Sequence, residues 1–288
     1  MISHDFDYQR PATIQEAVKT LSTAREAKVL AGGHSLLPLM KLGLSEPGTL
    51  VDIGGIASLR EIRSGASEVT IGARATHGAV ASDASITKTF TALAEAAGEV
   101  GDLQVRSRGT IGGSLAHADP AAAETAAVLA FDATLKAIGP KGERTIKATD
   151  FFKGTFETAL APNEILTEIR IASPAGGKTG SAYAAFPHPA SRFALVGVAA
   201  MVTRGADGTI SKAAIAVTGA AATPFRASGA EKALQGTRGD AAAVAKAATA
   251  AATGLTALDD IGASARFRTH LVTVFAARAI NKALERAT

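Results

Sequence analysis

Cysteine is absent from all 288 residues of the chain. Disulfides, thiolate-held iron–sulfur clusters, thiol nucleophiles and cysteine-ligated zinc are thereby excluded. Tryptophan is missing too, and aromatic residues make up only 5%, so no platform exists for stacking bases. Charge of either sign is scarce in excess: 30 Lys+Arg against 26 Asp+Glu leave a formal +4, with no basic run. Nucleic acid is therefore not an expected partner. Long hydrophobic runs are lacking as well. The ten residues "FALVGVAAMV" (193–202) are too short to span a bilayer and read as a buried strand. The N-terminal stretch "MISHDFDYQRPATI" has no apolar segment of the secretory type, so the expected location is cytoplasmic. What is present is a globular composition, 47% hydrophobic, in a chain long enough for two or three domains.

Helical and strand patterns alternate over the first 135 residues or so, the grammar of an α/β unit. "RPATIQEAVKTLSTA" predicts a helix capped by Thr13, with Glu16 completing a capping box. "AKVLAGG" predicts a strand running into a glycine turn, and "SLLPLMKLGL" a helix with Pro38 in its first turn. "TLVDIGG" and "EVTIGAR" read as strands, "TKTFTALAEAAGEV" and "ETAAVLAFDA" as helices. "TLKAIG", "RTIKATDFF" and "EILTEIRIA" are strand-like, and "SPAGGKTG" (173–180) reads as a linker. Beyond it, "SAYAAF", "RFALVGVAAMVTR" and "TISKAAIAVTGA" predict a three-stranded antiparallel meander turned at "GADG" (205–208). Three Ala-rich helices follow from about Phe225 and form a layer against that sheet. The expected architecture is α+β, divided into residues 1–175, in two parts of about 1–55 and 56–175, and a C-terminal domain at 176–288.

Two stretches carry the chemistry: "LAGGHSLLPLMK" (30–41) and "RSRGTIGGSLAHADPA" (106–121). Each pairs two glycines with a hydroxyl residue. Glycine lets the backbone approach a ligand closely, and successive amides form a nest for an anion. A helix start behind such a turn adds a favourable dipole. One Gly-Gly pair alone more often marks a tight turn. Two of them, each ending in a hydroxyl, suggest two arms closing on a pyrophosphate. Neither fits G-x-x-x-x-G-K-[ST] or G-x-G-x-x-G, so nucleoside-triphosphate hydrolysis and a Rossmann site are disfavoured.

In these two stretches the chain resembles the FAD-binding medium subunits of molybdenum hydroxylases, the group of xanthine dehydrogenase and aerobic carbon monoxide dehydrogenase. The resemblance extends through "FDYQRPATIQEAV", "DFFKGTFETALAPNEILTEIRI" and "HPASRFALVGVAA". It implies a PCMH-type, two-part α/β FAD-binding domain and a smaller C-terminal domain. It implies FAD as the cofactor, its pyrophosphate held by Ala31, Gly32, Gly33, His34 and Ser35 and by Thr110, Ile111, Gly112, Gly113 and Ser114, with Leu30 beside the first turn. Val100 matches an apolar contact of the family, and Ile165 and Leu166 match contacts on the adenine side. Phe193 stands where carbon monoxide dehydrogenases place a tyrosine near the isoalloxazine. The family's acidic residue facing the flavin falls on Ala123, with a carboxylate next door at Glu124; a family lysine falls on Ala185. No residue is assigned a catalytic role and none a metal. The resemblance implies a large molybdenum-cofactor subunit and a small iron–sulfur subunit as partners in a dimer of heterotrimers. Electrons would pass through FAD to NAD, a quinone or oxygen.

Other residues carry less. Ser35 has no base partner for nucleophilic catalysis. His77, His117, His188 and His270 lack metal-ligand spacing and read as structural or exposed. Asp119 reads equally as a helix cap and as a cofactor contact, and Arg106 and Arg108 as phosphate partners or surface charges. "RAINKALERA" reads as a solvated helix. Two alternatives stand beside the subunit reading: a self-sufficient FAD oxidoreductase, which needs an acid or base near the flavin, and a flavin-free scaffold subunit.

Overall fold

The computed structural model describes residues 4–174 and 178–288. Near the N-terminus, strands β1 (Asp7–Gln9), β2 (Ala27–Leu30) and β3 (Thr49–Asp52) form a parallel sheet in the order β1-β3-β2. Helix α1 (Ile14–Thr23) covers it. Thr13 caps α1 by accepting from the Glu16 amide, as the sequence predicts, while the Glu16 carboxylate accepts from the Ala12 amide, one residue ahead of the Thr13 amide that a capping box engages. Ala17, Val18 and Leu21 of α1 meet Val51 and Ile53, and Ile165 joins them from a later strand. Helix α2 (Leu36–Lys41) follows the first glycine stretch.

The next sheet has the order β4-β5-β10-β6-β7, formed by β4 (Ile62–Ser64), β5 (Glu68–Gly72), β6 (Thr134–Gly139), β7 (Gly142–Lys147) and β10 (Ile165–Ala172). Every pairing in it is antiparallel, so only the first sheet has the parallel pairing that alternation suggested. Helices α3 (His77–Ser82), α4 (Ala84–Thr89), α5 (Thr91–Glu99), α6 (Leu103–Arg108), α7 (Ile111–His117) and α8 (Ala123–Ala130) lie between β5 and β6. The single helix expected over "TKTFTALAEAAGEV" breaks at Phe90, whose buried ring meets Phe131 edge-on at 5.3 Å. Tertiary anchoring overrides the helical pattern there. The strand expected over "RTIKATDFF" splits into β7, a helical turn α9 (Ala148–Phe151) and β8 (Phe152–Gly154), which pairs with β9 (Glu157–Thr158).

Residues 175–177 of the expected linker lie outside the described residues, and Lys178–Gly180 already belong to a strand. The last sheet is antiparallel, in the order β11 (Lys178–Pro187), β12 (Ala194–Arg204), β13 (Ile210–Thr218), β14 (Phe225–Arg226). It has four strands where the sequence suggested three. The added one spans two residues, too short for any periodicity to signal. The chain turns at Gly205–Thr209 as expected. Helices α10 (Ser228–Leu234), α11 (Ala241–Ala251) and α12 (Ala265–Arg286) form the predicted three-helix layer. Val198, Ala200 and Val202 of β12 face that layer; Ala199 and Met201 face the core built by α5 and α8. The strand is buried on both faces, which is why its sequence is continuously apolar instead of alternating. Among the described residues no helix is long and apolar enough to cross a membrane.

Candidate functional site

The first glycine stretch leaves the C-terminal end of β2 and enters α2. Gly33 has φ +79°, a left-handed conformation that glycine adopts freely and other residues rarely do. Among the described residues, the amides of Gly32, Gly33, His34 and Ser35 donate to no protein acceptor. Four consecutive unengaged amides before a helix make an anion nest.

The second stretch is built differently. "TIGGS" is the first turn of α7, not a free turn, and Thr110 caps it by accepting from the Gly113 amide. The Ile111 amide donates to Ala75 O at 3.0 Å, the Gly112 amide to Ala73 O at 2.9 Å, and the Ser114 amide to Thr110 O at 2.9 Å. The first two tie the stretch to residues 73–75, the third lies within α7, and none of the three is available to a ligand. A Cβ on Gly112 would overlap Ala73 and come within 2.6 Å of its carbonyl oxygen. Gly112 is thus demanded by packing against the end of β5. What this arm offers a ligand is the hydroxyls of Thr110 and Ser114 and its close approach to the first arm. A Cβ on Gly32 would overlap the Arg108 carbonyl and stand 2.8 Å from Gly109 Cα. The two arms, about 80 residues apart in sequence, therefore touch.

Both arms open on one cavity of about 600 Å³. Its wall contains Leu30, Ala31, Gly32, Gly33, His34, Ser35, Val100, Thr110, Gly112, Gly113, Ser114, Ala123, Ile165, Leu166 and Phe193. Two expected residues stand outside it. Ile111 is fully buried beneath α7, as the first apolar residue of a helix that must bury one face. Glu124 is fully buried in α8, one residue past the cavity-facing Ala123, and its Oε1 lies 2.9 Å from His77 Nδ1. Arg106 and Arg108 do not line the cavity either; Arg106 donates to Val100 O and Gly101 O and braces the loop before α6. Asp119 lines the cavity and accepts from the Ala121 amide, whereas α8 begins at Ala123 behind Ala122, which gives no side-chain cap.

Several wall residues escaped the sequence. His77 and Tyr183 are 4% exposed and line the cavity, as do Glu99, Gly109, His117 and Arg192. No sequence signal links His77 to Glu124, 47 positions away. Burial by itself lowers His77, but the charge and hydrogen bond of Glu124 outweigh it and hold the imidazole above its ordinary value. His117 is lowered, chiefly by burial. Tyr183 is raised, chiefly by burial, with Glu99 and Glu124 adding to it. Arg192 donates to Gly101 O at 3.1 Å, and next to it Phe193 lines the cavity while 52% exposed.

Residues 4–174 match the family described as the FAD binding domain in molybdopterin dehydrogenase. Residues 181–283 match the CO dehydrogenase flavoprotein C-terminal domain. The chain is 39% identical to the carbon monoxide dehydrogenase medium chain of Hydrogenophaga pseudoflava, over 99% of both chains. It is 34% identical to the nicotine 6-hydroxylase medium subunit of Paenarthrobacter nicotinovorans, over 96% of both. Its structure superimposes with a TM-score of 0.95 on carbon monoxide dehydrogenase from Hydrogenophaga pseudoflava lacking the Mo-pyranopterin moiety, at 40% identity over 99% of both chains. Quinoline 2-oxidoreductase from Pseudomonas putida 86 gives 0.93 at 33% identity, over 100% of this chain and 99% of that one. With two glycine arms meeting over one cavity and both halves matched, the chain belongs to the family of FAD-binding medium subunits of molybdenum hydroxylases, and its cofactor is FAD.

Proposed function

We infer that FAD lies along the cavity between the two arms and that the chain is the electron-transfer subunit between an iron–sulfur subunit and an external acceptor. The observation that carries this reading is the contact of the arms at Gly32 and Arg108–Gly109 beside four unengaged amides. The residues fit the group. A pyrophosphate needs backbone donors that a Cβ does not screen, and Gly32–Ser35 supply them. Thr110 and Ser114 of the second arm line the same cavity, and their hydroxyls suit the same group. Apolar Leu30, Ile165 and Leu166 suit an adenine, and the half-exposed Phe193 suits the face of an isoalloxazine.

Bound FAD supplies the redox chemistry; the chain's residues bind it, orient it and exclude water. The cysteine-free sequence leaves iron–sulfur chemistry to a partner. Substrate oxidation then belongs to a large molybdenum-cofactor subunit, and the subunits assemble as a dimer of heterotrimers in the cytoplasm, with NAD, a quinone or oxygen as acceptor. We take residues 1–175 as the FAD-binding domain, in two parts meeting near residue 55, and 176–288 as the C-terminal domain. The three large sheets fall one to each part, which supports this division.

The test is to express the chain alone and with its genomic neighbours. Alone, it should bind stoichiometric FAD and leave it oxidised in the presence of carbon monoxide, aldehydes, purines or N-heterocycles. With its partners, substrate should bleach the flavin absorption. Rapid flavin reduction by an organic substrate in the isolated chain would overturn the subunit reading.

A further inference from the structure

Glu124 is 0% exposed, and its surroundings in α8 are Ala123, Ala126, Ala127 and Val128. One oxygen meets His77 Nδ1; the other, Oε2, has no partner among the described residues. An ionised carboxylate in such a place costs stability unless a cation accompanies it. Packing alone would be served better by leucine. The pair therefore holds at least one proton between the two side chains. His77 is the member that reaches the cavity wall, with its Nε2 beside Gly109 of the second arm and no protein partner on that nitrogen among the described residues. Its backbone amide donates to Gly109 O at 3.0 Å, which fixes the ring against that arm.

We propose that His77, charged and oriented by Glu124, is the positioning residue that sets the reduction potential of the FAD held in this cavity. The proposal rests on the FAD reading of the cavity and goes beyond it. An imidazolium in the wall favours the cofactor in the state with more negative charge, so it raises the potential. His77 transfers no electron and forms no bond; the electrons come from the iron–sulfur partner and the accompanying proton from solvent. The charged groups on the elements packed against α3 are Glu124 on α8, Arg106 and Arg108 on α6, Glu95 and Glu99 on α5, and Lys88 on α4. Glu124 touches the ring; Arg106 opposes its protonation but is already engaged by Val100 O and Gly101 O. Glu95 is neutralised by Lys282 and Arg286. Glu124 therefore dominates.

The experiment is spectroelectrochemistry of the FAD-loaded chain across pH, for wild type, His77→Asn and Glu124→Gln, with an NMR titration of His77 in the flavin-free chain. In wild type, one pH interval should show an additional slope equal to a tenfold shift per pH unit, about 30 mV for a two-electron couple. His77→Asn should lose that interval and lower the potential. Glu124→Gln should move the interval, and the NMR titration of His77, to lower pH. An unchanged potential and slope in a folded, FAD-binding His77→Asn would overturn the proposal and leave the pair a structural brace. If that variant does not fold, absence of the interval in wild type, or an unmoved His77 titration in Glu124→Gln, would overturn it equally. Failure of the wild-type chain to bind FAD would instead strike the reading on which the proposal rests, and the NMR titration separates the two.

Discussion

At the scale of single residues, the glycines of the two arms do different work. Gly33 needs its left-handed backbone, and a Cβ there would come within 2.9 Å of Leu37 Cδ1. Forcing an L side chain into that conformation costs about 1–2 kcal/mol. Gly33→Val should therefore remain folded while its amide nest is distorted, and FAD affinity should fall by about tenfold or more. Gly112→Val should act on the fold instead. Its Cβ would overlap Ala73, and overpacking of this kind costs about 1–3 kcal/mol. Flavin fluorescence titration and melting of the flavin-free chain separate the two: the first variant should lose affinity beyond its loss of about 1–2 kcal/mol in stability, whereas the second should lose stability without flavin present while its folded fraction keeps most of its affinity. The reverse pattern would show that the second arm is the nest.

Among elements, α7 shows how a motif can be legible and its construction not. Seven residues form a marginal helix, so its capping matters. Thr110 supplies the side-chain cap, and the segment 73–77 fixes the arm through three backbone bonds, His77 N to Gly109 O among them. Thr110→Ala should cost about 1 kcal/mol in urea unfolding of the flavin-free chain. Thr110→Ser, which keeps the acceptor, should recover most of it. If the two variants unfold alike, the cap contributes nothing and the backbone bonds alone hold the arm.

For the whole molecule, Glu95 joins the helices around the cavity to the C-terminal layer. Its carboxylate meets Arg286 Nη2 and Lys282 Nζ at 2.7 Å each and accepts from the Tyr183 amide at 2.8 Å. Burial alone raises the Glu95 carboxyl, but these partners outweigh it and hold it below its ordinary value. A depressed native value means that the contribution is complete above the ordinary carboxylate range, about 4.3, and is lost as pH falls through the native value. Glu95→Gln should therefore destabilise by about 1 kcal/mol near neutral pH, and the difference from wild type should shrink in acid. A difference that stays constant from pH 7 to pH 3 would show that packing, not charge, is lost. The last helix is thus not merely solvated, as its sequence suggested: Lys282 and Arg286 hold it to α5.

The sequence by itself determined helix α1 with its Thr13 cap, strands β2, β3 and β5, the three helices of the C-terminal layer and the buried character of β12. Those features rest on local propensity, side-chain periodicity and spacing, all written along the chain. It also pointed to both glycine arms, because a close backbone approach leaves its mark as a missing side chain. Tertiary structure alone decided which arm keeps its amides free: Ile111 and Gly112 donate to Ala75 and Ala73, residues that only the folded chain brings alongside. It alone decided that Ala123 faces the cavity while Glu124, one position on, turns into the core toward His77. Adjacent residues on a helix point about 100° apart, and which direction is inward depends on what packs there. The pairing of residues 77 and 124 and the break at Phe90 share one physical reason. Each is set by a partner distant in sequence, and no local pattern encodes it.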